Sequence, residues 1–178
     1  MRADAHTILR WVQRFVPEFE KRWSQYSRPV GRSWRCDETY SKVRGRWTYL
    51  YRAVDKLGRT VDFLLSERRD VAAAKRFFSK AMKKHGTPRV ITLDAYAASH
   101  RAITELQSVG TIARRVEIRS CKYLNNVVEQ DHRRIKQRVR PMLGFKRFDT
   151  ATITIIGIEL AEKFGNSNSR SGPCREDP

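Results

Sequence analysis

No stretch of the 178-residue chain stays apolar long enough to cross a bilayer, which takes about 20 consecutive apolar residues. The N-terminus, Met1-Arg-Ala-Asp-Ala-His6, lacks the apolar core of a secretory signal. Cysteine is scarce: Cys36, Cys121 and Cys174 are too few and too scattered for a disulfide framework or a zinc ribbon. Reduced thiols and a cytoplasmic setting are therefore expected. His85 and His100 have no partner at zinc-ligand spacing, which argues against zinc. The chain has no internal repeat.

The most telling shortage is of acid. Only 19 Asp and Glu stand against 37 Lys and Arg, a formal net charge of +18. Such an excess of cations calls for a polyanionic partner, because Lys and Arg neutralise phosphates and release counterions. An anionic membrane surface would also need an anchoring segment, and none is present. Hydrophobic residues at 40% and charged residues at 31% describe a globular chain. Its length suits one well-cored domain with an appendage.

Residues 4–16 read as a short amphipathic helix with Ile8, Trp11, Val12 and Phe15 on one stripe, ended by Pro17. Glu18–Arg32 is charged, contains Pro29 and Gly31, and reads as a linker. Three strand-like segments follow at 34–43, 46–54 and 59–66, joined by Arg44-Gly45 and by an Asp55-Lys-Leu-Gly58 turn. A helix over 70–85 has Ala74, Phe77, Phe78 and Ala81 on one face and stops at Gly86-Thr-Pro88. A strand at 89–93 runs into Asp94. A helix over 99–108, a strand at 115–119 and a helix over 126–139, stopped by Pro141, come next. The segment 148–164 is ambiguous, since Ile153, Ile156, Leu160 and Phe164 keep helical spacing while Thr152-Ile-Thr-Ile-Ile156 is β-branched. The tail 165–178 is polar and reads as disordered. The order β-β-β-α-β-α-β-α predicts an α/β domain of ribonuclease-H-like type, with a mixed sheet. Three antiparallel strands lead, further strands join by helical crossovers, and helices flank the sheet.

Three of the few acids stand where strands or helices begin or end: Asp37, Asp94 and Glu129. Carboxylates gathered inside a cationic surface suit hard divalent cations held beside a phosphodiester. Structural roles compete for two of them. Asn126-x-x-Glu129 also fits a capping box, Glu129 and Arg133 an i,i+4 pair, and Asp94 an N-cap or turn. Asp37 in a strand interior is harder to explain structurally, because aspartate is depleted there. Glu38 must point to the opposite face from Asp37. Lys136 returns to nearly the same helix face as Glu129 about 10 Å along, a place from which a cation can grip phosphate. The run Arg133-Arg134-Ile-Lys136-Gln-Arg138-Val-Arg140 is dense enough to favour DNA backbone contact. His132 reads as a solvated helix histidine, and Trp34 and Trp47 as core residues.

Four segments, Asp37-Glu-Thr-Tyr, Tyr49-Leu-Tyr-Arg-Ala-Val-Asp55, Lys122-Tyr-Leu-Asn-Asn-Val-Val-Glu-Gln-Asp-His132 and Arg138-Val-Arg-Pro-Met-Leu-Gly-Phe145, resemble bacterial DDE transposases of the insertion sequence 6 family. The resemblance runs from about Thr7 to Lys163. It implies an integrase-like catalytic core with Asp37, Asp94 and Glu129 as catalytic and metal-binding triad, and two Mg²⁺ ions, for which Mn²⁺ substitutes. It further implies cleavage that frees a 3′-hydroxyl and transfer of that strand to target DNA, in replicative transposition. The implied partners are the element's terminal inverted repeats, target DNA and further copies of the chain, at the nucleoid. No covalent link to protein is required, so Tyr40, Tyr51 and Tyr123 are read as core or groove residues. In such transposases a helix-turn-helix precedes the core. Residues 1–32 resemble its remnant and linker, with Arg10 and Arg14 as DNA contacts, the chain being N-terminally truncated. Residues 33–164 would then be the catalytic domain and 165–178 its tail. Beside Asp94 the chain departs from the family, with apolar Ala95-Tyr-Ala-Ala98 in place of polar residues. The competing reading is a DNA-binding remnant without activity; a ribonuclease H acting on RNA–DNA hybrids is a third.

Overall fold

A computed structural model describes residues 4–23, 29–94, 96–121, 133, 137 and 145–168. Its elements are α1 (Ala5–Trp23), β1 (Ser33–Val43), β2 (Arg46–Asp55), β3 (Thr60–Ser66), α2 (Val71–His85), β4 (Val90–Leu93), α3 (Ala97–Ser108), β5 (Glu117–Ser120) and α4 (Phe148–Asn168). The chain divides into two compact units. One comprises Arg28–Lys146, the other Met1–Ser27 together with Arg147–Pro178.

The larger unit is built on a five-stranded mixed sheet in the order β3-β2-β1-β4-β5. β1 pairs antiparallel with β2 and β2 with β3, while β4 lies parallel to both β1 and β5. The β1–β2 hairpin closes through the two-residue loop Arg44-Gly45, both at positive φ (52° and 75°). That conformation matches the right-handed twist of the flanking strands. Arg44 tolerates it because the loop is tied down: its backbone N–H donates to the Phe145 carbonyl at 2.8 Å and its Nε to that of Lys146 at 2.8 Å. β4, Val-Ile-Thr-Leu, is buried along its whole length, as expected of a parallel strand covered on both faces. α2 starts at Asp70, whose carboxylate accepts the Ala73 N–H at 2.7 Å, and stops at Gly86 with φ 76°. Phe77 and Phe78 of α2 and Ile103 of α3 pack with Trp34, Tyr51, Ile91 and Leu93 of the sheet into one core. The ribonuclease-H-like mixed sheet expected from the sequence is the fold observed.

Several expectations need correction. α1 does not end at Pro17 but runs through it to Trp23, so the first six residues of the expected linker are helical. Proline removes one hydrogen bond and crowds the preceding turn, but the residues beyond it are good helix formers, and Glu18 pairs with Arg22 at 2.8 Å. The ambiguous segment is helix throughout. The Thr152 and Thr154 hydroxyls donate to the carbonyls of Phe148 (3.3 Å) and Thr150 (2.8 Å), which makes β-branched threonine compatible with the helix. α4 also continues to Asn168, into the segment expected to be a disordered tail. α1 and α4 pack together in the smaller unit. A Cβ on Gly157 of α4 would stand 3.0 Å from Val12 Cγ1 and 3.3 Å from Val16 Cγ2 of α1, so any larger residue would make the valines give by a few tenths of an ångström. Val12 thus faces α4, whereas Ile8, Trp11 and Phe15, expected on the same apolar stripe, are exposed. Trp47 is not a core residue either: it is 53% exposed, while Trp34 is buried as expected.

Candidate active site at the ends of β1 and β4

Strand alternation sets the site. Along β1, Trp34 and Cys36 turn into the helix-covered core, and Asp37 takes the opposite face. β4 runs parallel to β1 in a register whose last pair is Cys36 with Leu93. Asp37 in β1 and Asp94, the first residue past β4, therefore follow this last pair, with the two strands about 4.8 Å apart. Both line one small cavity of about 200 Å³, open mouth included, together with Cys36, Glu38, Tyr51, Phe77, Phe78, Leu93 and Ser99. Asp37 Oδ1 accepts the Glu38 N–H at 2.8 Å, and Asp94 Oδ1 accepts the Tyr96 N–H at 3.1 Å. Asp94 thus makes the turn bond that its position suggested, and it stands beside Asp37 as well. The His100 Nε2–H donates to the Asp94 main-chain carbonyl at 2.9 Å.

Behind this pair lies a frame that sequence reasoning missed. The Glu38 side chain is only 4% exposed. It accepts from Arg69 Nε at 2.8 Å and from the Ser99 hydroxyl. Burial pushes the Glu38 carboxyl above its ordinary range, against the opposing pull of Ser99 and Arg69, and the Asp94 charge adds to the rise. The Arg69 guanidinium lies 3.6 Å over the Tyr96 ring, whose hydroxyl donates to the Arg69 carbonyl at 3.1 Å. Glu38 therefore ties β1 to the loop ahead of α2 and to the start of α3, the helix that follows Asp94. One signal was available: Glu38 is a second acid inside a strand. Arg69, Tyr96 and Ser99 carry no local mark. Tyr51, opposite Glu38 in the β1–β2 register, is buried with its hydroxyl lacking a partner among the described residues. Burial first, then the Glu38 charge, pushes its phenol upward.

Two half-buried carboxylates side by side form a hard-oxygen donor set of the kind magnesium takes. Among the described residues, no group of three or more His, Cys, Asp or Glu is placed to share a metal ion. Glu129, Lys136, Arg134, Arg138, Arg140, His132 and Tyr123 lie outside the described residues. Arg133 is helical and exposed, and Arg10 and Arg14 are exposed on α1. No helix among the described residues is long and apolar enough to cross a membrane.

A family model described as a DDE domain matches residues 31–167. The transposase for the insertion sequence-like element IS431mec of Staphylococcus aureus is 35% identical over 176 residues, covering 96% of this chain and 77% of that protein. The Staphylococcus aureus transposase for insertion sequence element IS257 in transposon Tn4003 matches at the same identity and coverage. The HTLV-2 integrase catalytic core domain, solved in complex with magnesium, is similar in fold, with a TM-score of 0.53 at 18% identity. That likeness covers 65% of this chain and 75% of the other.

Proposed function

Because the chain belongs to the DDE transposases of the insertion sequence 6 family, we propose that Asp37 and Asp94, completed by Glu129, hold two Mg²⁺ ions. At that site DNA is cut and joined at the ends of an insertion element. The observation that supports this most directly is the parallel β1–β4 pairing, which makes Asp37 and Asp94 neighbours. When bound, magnesium supplies Lewis-acid polarisation of the phosphodiester and of the attacking hydroxyl.

The chain's own residues do the rest. The carboxylates hold their positions through the Glu38 and Tyr96 backbone N–H groups, so little reorganises when a substrate arrives. The frame around Glu38 holds the start of α3, which follows Asp94, against β1. Arg133 and the neighbouring Arg134, Lys136, Arg138 and Arg140 grip phosphates, as do Arg10 and Arg14 of α1. Hydrolysis at the element end forms a P–O bond to the oxygen of water as the bond to the 3′-oxygen breaks, leaving a 3′-hydroxyl and a 5′-phosphate. That hydroxyl then attacks a target phosphodiester in line, forming one P–O bond and breaking another, with the target's own 3′-oxygen as leaving group. Bonds broken and made balance in this second step, so it needs neither a high-energy cofactor nor a protein–DNA covalent intermediate. Terminal inverted repeats and target DNA are the substrates, further copies of the chain assemble on them, and the setting is cytoplasmic.

A strand-transfer assay with labelled element ends tests this reading. Asp37→Asn, Asp94→Asn and Glu129→Gln are each expected to abolish nicking and joining, as is EDTA, while DNA binding persists. Undiminished cleavage in the aspartate variants would remove the site. Binding without cleavage by the unaltered chain would leave the inactive remnant as the function.

A further inference from the structure

The β1–β2 hairpin carries an exposed aromatic surface that the carboxylate chemistry does not use. Tyr40 and Lys42 share a face of β1, and their cross-strand partners are Tyr49 and Trp47. Tyr40 is 56% exposed and Trp47 53%. The two rings meet edge to face, with centroids 5.0 Å apart and planes at 89°. Lys42 Nζ lies 4.6 Å from the Trp47 ring centre. The Val43–Phe145 bridge brings Lys146 to the hairpin, where Arg44 and Arg46 are also exposed. Between Glu38 and Asp55 the sequence holds no acid at all.

Large aromatic rings normally gain by burial, so two left in water beside cations mark a contact surface. A surface for a protein partner is apolar and depleted of charge at its centre, whereas this one is cationic. A duplex hides the faces of its bases, but an unpaired strand offers both flat rings and phosphates. We propose that Tyr40 and Trp47 form a stacking platform for an unpaired DNA strand, with Lys42, Arg44, Arg46 and Lys146 on its phosphates. Tyr40 stands three strand residues beyond Asp37, about 10 Å along β1 and on its other face, so the platform does not depend on the carboxylate chemistry. The inference rests on the reading that this chain acts on DNA, but not on its cutting DNA.

Fluorescence anisotropy in EDTA, with a labelled single-stranded oligonucleotide and a duplex of equal length, tests it without catalysis. Trp47→Ala and Tyr40→Ala are each expected to weaken single-strand binding about fivefold or more, with duplex binding changed less than twofold. Trp47→Phe keeps an aromatic face and is expected to retain most of the affinity. Circular dichroism melts establish that each variant is folded; Lys42→Gln, which leaves both rings in place, should lower both affinities together. Single-strand affinity within twofold of wild type in both alanine variants would overturn the platform, as would an equal loss for duplex. A hairpin face made for another protein gives the first of those results. An unaltered chain that binds neither DNA would instead remove the functional reading itself.

Discussion

Asp55 shows how much a single carboxylate organises here. It accepts hydrogen bonds from the backbone N–H groups of Gly31 (2.9 Å), Leu57 (2.9 Å) and Arg59 (3.0 Å), and from Arg59 Nε (2.8 Å). It therefore closes the β2–β3 turn and fixes the chain entering β1 at Gly31, five residues before Cys36. Burial alone would push this carboxyl up, but the bonds from Gly31, Arg59 and Leu57 outweigh it and hold it below the usual range. A carboxyl depressed in the folded state contributes stability that is fully present above its unfolded pKa and lost as pH falls through the folded value. Asp55→Asn is expected to cost about 2–3 kcal/mol at pH 7. Denaturant melts should show that cost shrinking below about pH 4, where the wild type loses the same contribution. Glu38 makes a second prediction at this scale. Glu38→Gln should lower strand cleavage more than tenfold while leaving the protein folded, because it loosens the segment after Asp94 while leaving the backbone bond to Asp37 intact. Combined with Arg69→Gln it should be non-additive by about 0.5–3 kcal/mol in a stability cycle, since the two side chains act as one pair. Additive losses would show that the pair does not act as a unit.

At the level of elements, legibility followed the source of each element's stability. The three antiparallel strands and α2 were readable because their periodicity, turn residues and caps are local: Arg44-Gly45, Asp55 through Gly58, Asp70 and Gly86. α1 was misjudged at Pro17 because a proline's cost of about 3 kcal/mol can be met by packing that no window of sequence displays. α4 was ambiguous because β-branching and helical spacing disagreed, and the threonine back-bonds that resolve it exist only once the helix forms. Trp47 has the residue type of a core position, yet it is exposed at the hairpin end of β2. In the site, Asp37 was visible as an acid in a strand, whereas Arg69, Tyr96 and Ser99 acquire meaning only through contacts across the fold. The α1–α4 contact yields its own prediction. Gly157→Leu should destabilise this helix pair by about 1–3 kcal/mol, read as a lower melting temperature, and Val12→Ala on the same background should restore part of the loss. If Gly157→Leu melts like the wild type, the helices do not approach there in solution.

For the whole molecule, charge decides more than shape. A net +18 spread over 178 residues should make DNA binding fall linearly with salt on a logarithmic plot, each phosphate neutralised adding about −0.9 to the slope. Filter binding between 50 and 200 mM salt should therefore show a fall of about a thousandfold or more if at least six phosphates are engaged. A shallow slope would confine the contact to a few cations, and the basic run around Arg133 would then be a solvated face.

The parallel pairing of β4 with β1 has a consequence for biosynthesis. Asp94 follows Asp37 by 57 positions, and no hairpin or local turn can bring them together. A ribosome-bound chain that has emerged only through β3 carries Asp37 without Asp94, so the pair is not yet assembled. On the proposed reading, nicking of a genome would thus be withheld until most of the polypeptide has been made and its crossover has closed.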